Sequence, residues 1–160
     1  MVPLLLLLLP GGLVACVALA GYGFGRLGRP DAERAGGGGW LRGPAALLGA
    51  AAAAVYVWGL LHVAGAVLAA EDGGTDSAPI RPCRTPGWQE WARDPGITGY
   101  TVSYLPVRFV CETGDGGRYA TGHVPRYVNP AFFCLAAAAV ALAGTAALDT
   151  ERRDRRRPAV

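Results

Sequence analysis

Few side chains in this sequence combine a type and a position that could do chemistry, and His62 is the clearest of them. It is the one histidine in an apolar stretch, which runs from about Pro44 to Ala70 without a charge. Ionisable residues are expensive inside a membrane, so they often mark a haem ligand, a proton relay or a partner contact. The alternative is a structural histidine that hydrogen-bonds to a neighbouring helix. His123 lies in a polar region and offers no second ligand within a span.

The four cysteines divide into two kinds by their surroundings. Cys83 and Cys111 lie in the one long polar region, and a disulfide between them would close a loop of about 29 residues, which the chain-entropy relation values at about 3 kcal/mol. Two free thiols are the alternative. Cys16 and Cys134 lie in apolar stretches, where we expect them to act as small packing residues.

Two short motifs in the first apolar stretch resemble functional signatures without their context. Gly23–Gly28 matches the GxGxxG dinucleotide pattern, which needs a strand before it and a helix start after it. An apolar span precedes it here, so we expect these glycines to end the first helix, with Gly21 and Gly25 allowing another helix to approach. Leu13–Cys16 resembles a lipobox, in which the cysteine is lipidated after signal cleavage. A signal peptide requires a basic residue before this motif, and there is none here, so lipidation of Cys16 is the disfavoured alternative.

Catalytic signatures are missing from the sequence. All fifteen Lys+Arg residues are arginine, so a Walker phosphate loop and a Schiff base are excluded, and HExxH, CxxC, GxSxG and zinc-spaced sets are also missing. Glu71, Asp72 and Asp76 could bind a hard cation, although isolated carboxylates more often mark a membrane interface. We therefore predict no enzyme activity, no cofactor and no metal site.

The net charge of +3 is too small and localised to indicate nucleic-acid binding.

The elements that must position these residues are three apolar spans. Hydrophobic residues make up 52% of the 160 residues and charged residues 17%, compared with about 25% charged in an ordinary globular protein. The apolar residues are clustered in runs that suit a bilayer core of about 30 Å. We predict the following segments: transmembrane helix 1 at 1–24, a cytoplasmic Gly/Arg connector at 25–43, helix 2 at 44–70, a loop domain at 71–129, helix 3 at 130–148 and a basic tail at 149–160.

Arginine placement predicts the orientation of these spans. Nine arginines lie in the connector and the tail, close to span ends, whereas the loop domain holds six arginines against seven acidic residues. The positive-inside rule then places the connector and the tail in the cytoplasm. The N-terminus and the loop domain are consequently outside, where the disulfide expected there would persist.

Aromatic residues in the loop domain predict a short helical turn. Trp88 and Trp91 are three residues apart and would share one face of this turn, which Asp94–Gly96 would end. Tryptophan favours the boundary between membrane and water, so the turn would rest on the bilayer surface. Packing over the core of the loop domain is the alternative.

A β-hairpin is predicted after this turn. The residues from Tyr100 to Thr113 are strand-like, and alternate residues from Val107 to Cys111 would share one face. Asp115-Gly116 is typical of a two-residue hairpin turn. This turn would place Cys111 opposite Ala120, with 118–128 as the return strand.

Together these patterns predict an all-α membrane protein with three transmembrane helices and a small disulfide-linked extracytoplasmic β-hairpin inserted between helices 2 and 3. We expect a multi-pass protein of the cell membrane. Its partners would be the lipid bilayer and either another membrane protein or further copies of itself, through small-residue helix faces such as Ala46-Ala50-Ala54 and Ala136-Val140-Gly144. The predicted function is non-enzymatic, as an interaction or envelope-assembly component that presents the outer loop. The alternative is an accessory subunit of a transport or redox complex that uses His62.

Overall fold

Three long helices and one small sheet form the fold. The structure is a computed structural model, and it describes residues 2–28, 38–72, 80–84 and 96–156. In chain order its elements are helix α1 (Val2–Leu27), a 3-10 turn (Gly38–Leu41), helix α2 (Arg42–Glu71), a second 3-10 turn (Arg81–Cys83), strands β1 (Ile97–Tyr104), β2 (Val107–Thr113) and β3 (Arg118–Ala120), and helix α3 (Val128–Arg156). The predicted turn around Trp88 and Trp91 lies outside the described residues.

The three predicted apolar helices are confirmed, and each is long and apolar enough to cross a membrane. Helix α1 continues through Pro10. Helix α3 runs on into the arginine-rich end of the chain, where Arg153, Arg155 and Arg156 occupy its last turn. Cations are favourable there because they face the negative end of the helix dipole. Glu151 adds an ion pair to Arg155 one turn away, at 2.6 Å.

Two compact units make up the chain. The sheet unit contains Met1–Leu9 and Tyr56–Asn129, and the helical unit contains Pro10–Val55 and Pro130–Val160. All three helices therefore contribute residues to both units. The most apolar 18-residue window of α2 has 39% of its residues buried, compared with 6% for α1 and for α3. Helix α2 is consequently the most buried of the three helices.

In the helical unit, α1 and α2 approach each other closely at glycines. A Cβ atom added to Gly23 would lie 2.8 Å from the Leu47 side chain and 3.1 Å from the Gly43 carbonyl oxygen. Gly23, rather than Gly21 or Gly25, therefore permits the close approach, since a Cβ on either of the latter would meet nothing within 4 Å. The position of the glycine on the helix face decides this, because only one side of α1 meets α2.

In the sheet unit, the antiparallel strands β1, β2 and β3 lie in that order. The predicted alternation in β2 is confirmed: Val107, Phe109 and Cys111 are buried, whereas Arg108 between them is exposed. The sheet has three strands rather than the two of the predicted hairpin. The strand-like run folds back on itself at Leu105-Pro106, where a cis peptide bond lies in a two-residue turn that pairs Tyr104 with Val107.

The second turn also differs from the prediction, because it has three residues rather than two. The Thr113 amide donates to the Gly117 carbonyl at 2.9 Å, and Gly116 takes a positive φ of 83°. This conformation suits glycine and is typical of three-residue hairpin loops. The longer loop shifts the register by one residue, so that Cys111 lies opposite Tyr119 and not Ala120.

The return strand is shorter than the predicted 118–128. Strand β3 ends at Ala120, although the Thr121 amide still donates to the Phe109 carbonyl at 2.9 Å. Turns occupy the following residues until α3 begins. The segment includes Gly122 and Pro125, and neither type favours a continued strand.

Candidate functional site

The sheet is fixed against α2 by close packing at one glycine. A Cβ atom added to Gly59 would lie 2.7 Å from the Val128 side chain and 3.5 Å from the side chain of Val107. Val107 and Val128 are 1% and 0% exposed. The Tyr56 hydroxyl of α2 also donates to the Tyr104 carbonyl, at 3.2 Å. Because Gly59 has no side chain, Val107 at the start of β2 and Val128 at the start of α3 can both pack closely against α2 at this residue.

The predicted disulfide between Cys83 and Cys111 is confirmed, with a Cα–Cα distance of 6.0 Å. Both cysteines are 0% exposed. The Tyr119 hydroxyl donates to the Cys83 carbonyl at 2.8 Å, and Tyr119 is the cross-strand neighbour of Cys111. The 3-10 turn at Arg81–Cys83 is thus held by a covalent bond to β2 and by a hydrogen bond from β3.

One amide side chain completes the edge of β2 beyond the end of β3. The Asn129 Oδ1 atom accepts from the Val107 amide at 2.8 Å, and its Nδ2 atom donates to the Val107 carbonyl at 3.1 Å. The backbones of Tyr119 and Thr121 pair with β2, and the Asn129 side chain continues this pairing at Val107. These two hydrogen bonds attach the first turn of α3 to the sheet.

The opposite face of the sheet is polar. The Thr101 hydroxyl donates to Glu112 Oε1 at 2.7 Å, and Arg118 lies 3.2 Å from the same oxygen. Arg108 is exposed beside them. We call these four residues the polar face. Because Arg118 is 70% exposed, the ion pair contributes little to stability, and its charges remain accessible to another molecule.

The hairpin tip has a fixed shape. Asp115 accepts hydrogen bonds from the Thr113 hydroxyl and from the Gly117 amide, the latter at 3.0 Å. These bonds stabilise the carboxylate, so they lower the pKa of Asp115 from its usual value. An ordered acidic tip therefore lies next to the polar face.

A tyrosine and an apolar cavity lie where the sheet meets the helices of its own unit. The Tyr100 hydroxyl donates to Glu71 at 2.5 Å, and its ring stacks on Phe109 with 4.9 Å between the ring centres. Burial, followed by the hydrogen bond and the charge of Glu71, raises the pKa of Tyr100 to about 12. The cavity has a volume of about 380 Å³, and Tyr100 lines it together with Leu5 and Leu68. Its size lies in the usual range for small-molecule pockets.

His62 is half-buried on α2. Its Nδ1 atom lies 2.9 Å from the Trp58 carbonyl oxygen, and since a carbonyl only accepts, Nδ1 carries the proton in this contact. The two rings meet edge to face, with centres 4.7 Å apart. The Trp58 indole in turn donates to the Tyr127 hydroxyl at 3.1 Å. His62 thus contacts the preceding turn of its own helix, and a transport or redox role for it stays a prediction.

Other predicted candidates are placed apart from this group. Among the described residues, no group of three His, Cys, Asp or Glu side chains could hold a metal ion, and Asp76 lies outside them. The GxGxxG pattern lies in α1 and the turn at its end, so it lacks the strand that a dinucleotide site requires. Cys16 is half-buried in α1 and Cys134 is exposed on α3.

Sequence reasoning missed the residues that attach the sheet to the helices. Gly59 is one of several small residues in the second apolar span, and Asn129 is separated from Val107 by the entire hairpin. The Asn129-Pro130 pair does favour a turn, but nothing local indicates the partner of the Asn129 amide. Comparison of the chain with protein-family models, with curated proteins and with solved structures gives no match.

Proposed function

We propose that this chain is an integral membrane protein that holds a rigid, disulfide-tied sheet outside the membrane as a non-enzymatic contact surface for envelope assembly. The observation that carries the proposal is the attachment of the sheet: one face packs on α2 around Gly59, and the other is the accessible polar face. A surface that is already ordered loses little conformational freedom on binding, so such a surface favours association.

The proposed insertion rests on the exposed apolar side chains of the helices. Leu7 and Val17 of α1 are both 71% exposed, and Val140 of α3 is 72% exposed. Soluble proteins rarely leave large contiguous apolar surfaces in water, whereas lipid tails cover them without penalty. The same surfaces suit contact with helices of another membrane protein or of a second copy.

The proposed orientation follows from charge. The arginines of α3 cluster in its last turn, and the connector before α2 is also rich in arginine. The positive-inside rule therefore places both segments in the cytoplasm. The disulfide and residues 71–129 then lie outside, together with the N-terminus, where an oxidising environment preserves the bond.

In-cell photo-crosslinking tests the proposed contact surface. A photoreactive residue replaces Arg108 on the polar face, and in a parallel strain it replaces the exposed Gly122 outside that face. We expect crosslinks to a membrane protein, or to a second copy, from residue 108 and fewer from residue 122. Replacement of both disulfide cysteines by alanine should abolish the crosslinks, whereas the same change at Cys16 and Cys134 should leave them intact. Equal crosslinking from both positions, or none from residue 108, would contradict the proposal.

A further inference from the structure

A groove in the helical unit combines apolar walls with a cationic end. It has a volume of about 560 Å³ and is lined by residues of all three helices. Small residues form much of its surface, including Ala45 and Gly49 of α2 and Ala143 of α3. Because alanine and glycine occupy little space, the helices leave room between them. Along α3 the groove extends from Ala139 to Ala147, which corresponds to about 12 Å at the rise of an α-helix.

One arginine lines an end of this groove, and a second lies over a tyrosine that lines it. Arg42 lines the groove, and its guanidinium donates to the neutral Thr150 hydroxyl at 3.1 Å. Tyr22 lines the facing wall. Arg26 lies over the Tyr22 ring, 5.5 Å from its centre, and also donates to the Tyr22 hydroxyl at 3.3 Å. A Cβ atom added to Gly23 would lie 3.1 Å from the Gly43 carbonyl oxygen, so the adjoining residues Tyr22 and Arg42 lie at about the same level along the two helices.

We propose that this groove binds one anionic phospholipid, with its phosphate at Arg42 and an acyl chain along the small residues of α2 and α3. Charge complementarity selects the occupant. A guanidinium at the end of an apolar groove matches a phosphate attached to a hydrocarbon chain, and basic pockets between membrane helices on the cytoplasmic side bind such headgroups. The inference rests on the proposed insertion and orientation, which place Arg42 at the level of the inner-leaflet headgroups.

Native mass spectrometry of the full chain tests this site. Protein is extracted in mild detergent from vesicles that contain equal amounts of phosphatidylglycerol and phosphatidylcholine, and the lipid retained on the protein is measured. We expect one retained phosphatidylglycerol on the unaltered protein. Arg42→Gln should reduce its retention about five- to tenfold, as expected for the loss of one interfacial arginine contact. Arg155→Gln is the matched control, because Arg155 pairs with Glu151 outside the groove, and should change retention less than twofold.

A second pair of variants tests the apolar part without changing charge. Ala143→Leu fills the groove, whereas Ala141→Leu makes the same change at an exposed residue of α3 that does not line it. Only the first should reduce retention. Excess glycerol phosphate should not displace the lipid, because the headgroup alone lacks the chain that occupies the groove.

Each other outcome overturns the inference. Equal retention of the two lipids would mean that charge is not recognised, and an equal loss in Arg155→Gln would indicate general surface attraction. Displacement by glycerol phosphate would indicate a headgroup site alone, and dissociation of a dimer by Ala143→Leu would show that a second copy covers the groove. Alkaline washing of the membranes separates the two proposals: washed-out protein contradicts insertion, whereas retained protein without phosphatidylglycerol contradicts only the lipid site.

Discussion

The side chain of Asn129 offers a quantitative test of how the sheet unit is held together. Its amide pairs with both backbone polar atoms of Val107, which is 1% exposed. Asn129→Leu keeps a similar size but removes the donor and the acceptor. Each buried polar group left without a partner costs about 1–3 kcal/mol, so two of them should reduce the free energy of unfolding of this unit by about 2–6 kcal/mol.

Asn129→Asp separates the two hydrogen bonds. An ionised carboxylate still accepts from the Val107 amide, but it cannot donate to the Val107 carbonyl and repels it, so we expect a loss of about 1–3 kcal/mol at neutral pH. The same repulsion raises the pKa of the new carboxyl in the folded state. A group with a raised folded-state pKa contributes stability at low pH that is lost as the pH rises through that pKa. The deficit relative to the unaltered protein should therefore shrink on acidification.

Amide hydrogen exchange of strand β2 in detergent-solubilised protein measures both effects. Each 1.4 kcal/mol of lost local stability accelerates exchange about tenfold, so Asn129→Leu should accelerate exchange at Val107 by at least tenfold. Thr145→Val is the control, since its hydroxyl donates within α3, to the Leu142 carbonyl, and should leave β2 unchanged. Unaltered exchange at Val107 in Asn129→Leu, or a deficit in Asn129→Asp that grows at low pH, would refute the reasoning.

Four further outcomes follow from the same contacts. Gly59→Ala should destabilise the sheet unit by about 1–3 kcal/mol in thermal unfolding, because the methyl group overlaps buried side chains; Gly65→Ala in the same helix meets nothing within 4 Å and should not destabilise it. Replacing both cysteines of the buried disulfide, which are 28 residues apart, by alanine should cost about 3 kcal/mol, and a thermal midpoint unchanged by this replacement would contradict the role of the bridge. The free energy of unfolding should fall as the pH rises from 10 towards 12, because the folded state holds the Tyr100 proton to about pH 12. Tyr100→Phe should weaken this fall, and the same alkaline profile in both proteins would contradict the role given to Tyr100. His62→Ala should leave the visible absorption spectrum and the metal content of the purified protein unchanged, whereas loss of a haem band or of bound metal would favour the redox alternative.

The helices could be predicted because their signal is local. Uninterrupted apolar runs identify α1, α2 and α3, since length and composition alone decide whether a helix suits a bilayer. The alternation of Val107, Phe109 and Cys111 likewise identifies the buried face of β2. The disulfide could be predicted for the same reason, because only two cysteines share the polar region.

The arrangement of the sheet required information that is not local. Asp115-Gly116 signals a hairpin, but the positive φ at Gly116 belongs equally to two- and three-residue loops, and this ambiguity alone shifts the register by one residue. Strand β1 was merged with β2 in the prediction because Leu105-Pro106 interrupts the run only briefly. The bonds of Asn129 to Val107 join residues that are 22 positions apart, and sequence spacing gives no indication of them.

Cysteine labelling from each side of the membrane tests the central claim most directly. In a chain whose Cys16 and Cys134 are replaced by serine, a new cysteine at Arg108 reports on the sheet and one at Arg155 reports on the end of α3. With a membrane-impermeant maleimide and intact cells, the cysteine at residue 108 should react, whereas that at residue 155 should react only after the membrane is opened. The reverse pattern, or equal reaction of both cysteines in intact cells, would contradict a membrane protein that presents its disulfide-tied sheet outside.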